Sequence, residues 1–451
     1  MKAINKYRNH YILYPLVVFL FYGIYTNQLS FMALLALFYL VGFSVLRFLL
    51  GTKSGYSFSV YNICISIYGL LTLLTHIELI DGRDPYYAYY IHIDAALSFY
   101  TTTIDQMLGL RWSDLLKGSI LNPFFADYPL ASLLFGFIAK LGALFGVADL
   151  RLLLRCHVFV FAAIIPALIV NIQILRGIDG RPAMKQALIF SICSYLFITS
   201  AIFSRDLHVT FGYALVGYVA LLPSCKFRML KMLLACIITI GFRPVSGVLA
   251  FVFVFGYYAS KNKATRFLLI PAVMVLTFIF FRTNEFVEEG LDRIGRYGNA
   301  AELQTGGVFG VIYGLPFPLN QMGMIVYMLL MPIPITKYIY IDGGGGSFLT
   351  FPFLLSPFLM SFTFICSLWL IFNKSKMKNV DWLIMLSSFF AFVVTVFGSP
   401  DLRRSFASIP VLYMIFVTYW NNIPSRVAIM CKKVVWPVIT VIELFFFIYQ
   451  M

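Results

Sequence analysis

Residues His76 to Leu150 read HIELIDGRDPYYAYYIHIDAALSFYTTTIDQMLGLRWSDLLKGSILNPFFADYPLASLLFGFIAKLGALFGVADL, the longest polar interruption in an otherwise apolar chain. The stretch carries Asp81, Asp84, Asp94, Asp105, Asp114, Asp127 and Asp149. A carboxylate set against lipid costs several kcal/mol, so most of this segment belongs in water or in a wet cavity. The apolar runs on either side then read as the scaffold that holds it at one membrane face.

The composition agrees. Of the 451 residues, 61% are hydrophobic and 12% charged, against roughly half and about 25% in a soluble domain. This predicts an all-α polytopic transmembrane bundle. The net charge of +15 does not point to nucleic acid, because Lys and Arg gather in short clusters between apolar runs, the pattern that orients membrane proteins. The seven cysteines form no CxxC pair and lie mostly inside apolar runs, so they read as packing thiols without a disulfide framework. Met1 to Leu20 has a basic start and an apolar stretch but no small-residue cleavage site, and reads as an uncleaved first span.

Apolar runs of about 16–24 residues, long enough to cross hydrocarbon, start near Tyr11, Ser30, Ser57, Leu154, Gln186, Leu207, Met229, Val245, Phe267, Thr350, Trp382, Phe406 and Val434. That predicts about 13 spans in one integral domain: three within 1–80, an outer loop over 81–151, six within 152–282, a second outer loop over 283–348 and four within 349–451. Basic clusters at Lys2/Lys6/Arg8, Arg47/Lys53, Arg176/Arg181/Lys185, Lys226/Arg228/Lys231, Lys261/Lys263/Arg266, Lys374/Lys376/Lys378 and Arg426/Lys432/Lys433 then fall on one side, with Asp179 and Asp381 as the nearby acids. The positive-inside trend makes that side, and the N-terminus, cytoplasmic. The parity holds only if Leu130–Phe145, which Lys140 interrupts, lies along the outer surface instead of crossing. By the same parity the piece from Met322 to Ile339 is interfacial or re-entrant, and Gly343–Gly346 form a flexible joint before the next span.

Several polar groups then share the outer face. Asp81 and Asp84 sit in IDGRDPYYAYY, directly after the third span. A carboxylate at the mouth of a membrane cavity can act as general base toward a hydroxyl, although Asp, Gly and Pro also make an ordinary turn. Arg205 and Asp206 lie between two spans, where Asp206 is a candidate N-cap or local ion-pair partner as well as a site residue. Arg243, in ITIGFRPVSG, can hold a phosphate bidentately or snorkel to the interface. Arg403 and Arg404 lie in GSPDLRRSFASIP, and Arg293 and Arg296 share a face if their loop is helical. Outer arginines run against the orienting trend, and an anionic lipid-linked ligand would account for them. The five histidines show no metal-ligand spacing, and P-loop, GxSxG and dinucleotide fingerprints are missing from the sequence, which argues against a nucleotide-driven pump. Nearly all charges stand at span ends, Glu443 being the main exception, so a flippase or other transporter, with charges lining its path, is the weaker alternative.

In their order along the chain these pieces resemble the GT-C class of polytopic glycosyltransferases. Asp81 or Asp84 with DPYYAY resembles that class's early acidic motif, and Asp127-Tyr128-Pro129-Leu130 its juxtamembrane Pro-Pro-Leu helix start with one proline. Arg151 or Arg155 in GVADLRLLLR is similar to an arginine opening a span, Asp206 in SRDL to a second outer acid, Gly241-Phe242-Arg243-Pro244 to a T/G-x-R/K-P break, and RRSFASIP to a closing R-x-R-x-P segment. The likeness covers roughly 78–260 and 398–420. Two extra spans precede the first acidic loop and the adjacent Asp-Glu of the class is missing. The resemblance implies a bacterial inner-membrane enzyme that uses a polyprenyl-phosphate or pyrophosphate-linked sugar and a glycan acceptor to build surface polysaccharide. Asp84, Asp81 or Asp206 would be catalytic. Arg205, Arg243, Arg403, Arg404, Arg293, Arg296, Tyr86, Tyr87 and Asp127 would line the substrate. No cofactor is fixed by the sequence, a divalent cation being the one candidate. In size and layout the chain equally resembles O-antigen and capsule repeat-unit polymerases.

Overall fold

A computed structural model describes residues 10–50, 55–80, 129–203, 205–261, 311–312, 314–316, 318–330, 350–398 and 402–450. Among these, 89% are helical and none lies in a strand, as the hydrophobic runs require. The helices are α1 His10–Thr26, α2 Leu29–Leu50, α3 Gly55–Ile80, α4 Pro129–Leu144, α5 Leu150–Leu175, α6 Gly180–Cys193, α7 Tyr195–Ala201, α8 Asp206–Leu221, α9 Arg228–Phe242 and α10 Pro244–Lys261. They continue as α11 Leu319–Leu330, α12 Thr350–Phe372, α13 Asn379–Gly398, α14 Leu402–Ser405, α15 Ile409–Thr418, α16 Ser425–Met430 and α17 Trp436–Gln450. All seven cysteines carry free thiols.

Five helices are long and apolar enough to cross a membrane, and a sixth span results if the bent pair α6–α7 counts as one. This is fewer than the 13 expected from sequence. The run from Phe267 lies outside the described residues, and every other run falls in a helix. What differs is length. Helix α8 has 16 residues, α9 has 15 and α15 has 10, and at 1.5 Å per residue they reach about 24, 22 and 15 Å, short of a ~30 Å hydrocarbon core. Helices α6 and α7 meet at 64°, because Ser194 is extended and its Oγ accepts the Leu196 N–H at 3.2 Å, capping α7 as a separate helix.

The core centres on α5, which is buried along most of its 26 residues and packs against α3, α6, α8, α2, α4 and α15. At one end of the bundle Arg176 donates to the Leu221 carbonyl at 2.8 Å and to Asp381 at 2.7 Å, joining α5, α8 and α13. Lys231 lies over the Phe48 ring, and Asn379 reaches the Ser260 carbonyl. Arg176, Lys231 and Lys378, which precedes Asn379, therefore gather at this end. The opposite end, where α3 stops and α5 and α8 start, carries the polar groups singled out from the sequence.

Helix α4 packs into the bundle. Its Phe135 meets His157, while the backbone at Gly142 approaches Leu150 and Leu153. It therefore runs antiparallel along the first turns of α5, turning through Gly146 at φ +68°. Lys140, which interrupts the apolar run, is buried. The run is apolar on more than one side, with Ala131, Phe135, Ile138 and Ala139 buried and Phe137 and Leu144 exposed, so it is drawn in between α5 and α9. Helix α11 packs on α12 and α13; the second half of the Met322–Ile339 piece lies outside the described residues.

A recessed ion pair as the candidate functional site

Pro244 positions the key arginine. The residue before a proline is pushed out of the helical region, and Arg243 is accordingly extended (φ −161°) at the end of α9, while Pro244 opens α10, where a missing N–H costs nothing. Chain continuity survives through hydrogen bonds from the Arg243 N–H to Thr239 O and from the Gly247 N–H to Arg243 O, each 2.8 Å. The Arg243 side chain is thereby directed at the first turn of α8, and its Nη1 donates to Asp206 Oδ1 at 2.6 Å. Helices α8 and α9 come this close because Gly212 offers no side chain to Thr239; a Cβ there would stand 2.1 Å from Thr239 Oγ1.

Both partners are buried, Asp206 at 7% and Arg243 at 9% exposure, as is the neighbouring Arg205 at 4%. Arg243 therefore does not snorkel, and Asp206 takes its partner from α9. A charged hydrogen bond this short is of the strong class, and a pair this buried needs it to offset desolvation. Arg155, in the second turn of α5, donates to the Ala201 carbonyl through Nε at 3.0 Å and Nη2 at 2.8 Å, and to Thr75 Oγ1 at 2.7 Å. It ties the C-terminus of α7, four residues before Arg205, to α3 and α5.

Beneath the ion pair lies an aromatic layer. His208 stacks on Phe242 (4.5 Å between centroids, 16°) and on His157 (5.2 Å, 28°), with Phe135, Phe161 and Phe203 closing around them. At the same end of the bundle His76 Nε2 and Asp149 Oδ2 stand 2.8 Å apart, and Asp149 Oδ1 accepts the Leu152 N–H at 2.8 Å, capping α5. Burial raises the Asp149 pKa, but the hydrogen bond and charge of His76, the Leu152 N–H and Arg151 outweigh it and hold the carboxyl below its usual value.

Of the residues expected in the site, Asp206, Arg205 and Arg243 are brought together. The turn with Arg403 and Arg404 leads directly into Phe406–Ser408, which packs on α8; Arg404 is half-buried. Asp81, Asp84, Tyr86, Tyr87, Asp127, Arg293 and Arg296 lie outside the described residues. Pro129 begins α4, and Leu130 lies against Gly241 beside the ion pair. Sequence reasoning missed the histidine pair and the anchoring by Arg155. Spacing dismissed the histidines, yet each interrupts an apolar run, which is itself a signal in a membrane chain. Among the described residues no group of three or more His, Cys, Asp or Glu could hold a metal ion. Comparison with protein-family models, curated proteins and solved structures gave no match in any of the three.

Proposed function

We propose that the protein is a bacterial inner-membrane glycosyltransferase that takes a polyprenyl-phosphate or pyrophosphate-linked sugar, or repeat unit, at the periplasmic face and builds surface polysaccharide. The observation that carries this reading is the meeting of Arg205, Asp206 and Arg243 under α4. Described members of four segments of the ordered resemblance, Pro129-Leu130, Arg155, Arg205-Asp206 and Arg243-Pro244, lie near one another at this end of the bundle although far apart in sequence. The basic end of the bundle faces the cytoplasm on this reading, following the positive-inside trend.

In the reaction the lipid-linked phosphate lies against Arg243 and Arg205, with Arg403 and Arg404 approaching from the α14 turn. Fixed guanidinium donors stabilise the negative charge that develops on the departing phosphate. Asp206 is too tightly engaged to be the first choice of base; it holds the Arg243 fork in register. Asp84, or Asp81, removes the proton from the acceptor hydroxyl, with Tyr86 and Tyr87 against the sugar ring and Asp127 at the entrance to α4.

The test is to incubate the purified protein with undecaprenyl-linked sugars and acceptor, and to follow products by mass spectrometry. One mass increment identifies single-sugar transfer, and a ladder identifies repeat-unit polymerisation. Asp84→Asn should keep expression and lipid binding but lower the rate by about 10²–10⁴. Absence of any elongated product with every donor, alongside ATP-independent movement of the same lipid across vesicles, would replace the enzyme by a flippase.

A further inference from the structure

We propose that His157 and His208 form a one-proton binding site inside the bundle, linked electrostatically to the Asp206–Arg243 pair. The inference stands independently of glycosyl transfer. It starts from a cost. Both rings are 2% exposed, and His157 has no side-chain hydrogen-bond partner, its one polar contact being with the backbone of Leu154 one turn back. Their surroundings are phenyl rings: Phe135 of α4, Phe161 of α5, Phe203 of the α7–α8 link and Phe242 of α9. A phenylalanine at 157 would fill such a box without leaving polar atoms unsatisfied. An ionisable ring kept there against that penalty points to use of its titration.

The geometry limits the pair to one proton. With 5.2 Å between ring centroids, a second positive charge is disfavoured on the order of a hundredfold relative to the first, even at a generous interior dielectric. The proton comes from bulk water and forms a single N–H bond. Both charged neighbours are close in the chain: Asp206 is two residues before His208, and Arg243 follows Phe242, which stacks on His208. The other charged groups on the surrounding elements are Lys140 of α4, Arg155 of α5, whose guanidinium is turned to Ala201 and Thr75, and Arg205. Asp206 favours the proton and Arg243 opposes it.

The experiment is a pH titration of the full-length protein in nanodiscs, with ¹⁵N-labelled histidine observed by NMR; His157→Phe and His208→Phe assign the two rings. The wild type should show these two rings changing together and taking up one proton between pH 4 and 8. Arg243→Gln should raise the midpoint and Asp206→Asn should lower it, each by about half a unit or more. His157→Phe should remove the shared transition and leave the thermal midpoint at pH 7 unchanged or higher. If His157→Phe does not fold, the wild-type titration and His208→Phe carry the test alone. Rings silent across that range, two independent full titrations, or a midpoint that moves with neither charge variant would each overturn the proposal.

Discussion

At the scale of single residues, the burial of Asp206 and Arg243 makes their removal asymmetric. Asp206→Ala removes the carboxylate that faces a buried guanidinium and should cost about 3–5 kcal/mol, whereas the double change Asp206→Leu with Arg243→Met should be near neutral. Thermal unfolding in detergent of the three proteins checks this, and equal losses for single and double variants would show that the pair is wet. Asp149 gives a pH signature. Its folded pKa is depressed, so its contribution is present above the unfolded carboxyl value near ~3.9 and is lost as pH falls through the lower folded value. The gap in thermal midpoint between wild type and Asp149→Asn should therefore be full at pH 7 and close as pH falls through the lowered folded value. Asp206 and Arg243 were legible in the sequence as ionisable residues flanking apolar runs. Their pairing was not, because 37 residues separate them and spacing alone favoured Arg205 as the partner.

At the scale of elements, the sequence marks where helices lie and is poor at saying how far they run. The Gln186 run looked continuous, yet Ser194 divides it, since a capping hydroxyl competes with the helix backbone for its amides. The Leu130–Phe145 run was read as lying on the surface because Lys140 breaks its apolar pattern. A long aliphatic stem lets lysine be buried beside apolar neighbours, and pattern counting does not register this. Close helix contacts are likewise invisible until the partners are known. Gly217 of α8 faces Val411 of α15, and an added Cβ would stand 2.6 Å from Val411 Cγ2. Gly217→Ala should cost about 1–3 kcal/mol, and Val411→Ala in the same chain should restore much of it. A double-mutant cycle by thermal unfolding measures the coupling, and strictly additive losses would deny the contact.

At the scale of the whole molecule, one prediction tests the separation of the basic end from the site end. In a cysteine-free background, Ala148→Cys should react with a membrane-impermeant thiol reagent added to intact cells, and Arg181→Cys should react only after lysis. Reaction of position 181 from outside would invert the arrangement. The recess of the ion pair has a consequence for what can reach it. His157, level with His208, lies seven residues into α5, or about 10 Å along its axis. Helix α5 is about 39 Å long and exceeds a ~30 Å hydrocarbon layer by only a few ångströms at each end. On the proposed placement, with α5 centred across that layer, Arg243 and Asp206 would stand near its outer boundary. A free inorganic anion must shed its hydration to descend there. A phosphate tethered to a long hydrocarbon tail is already held at that boundary, and its tail stays in lipid throughout the descent.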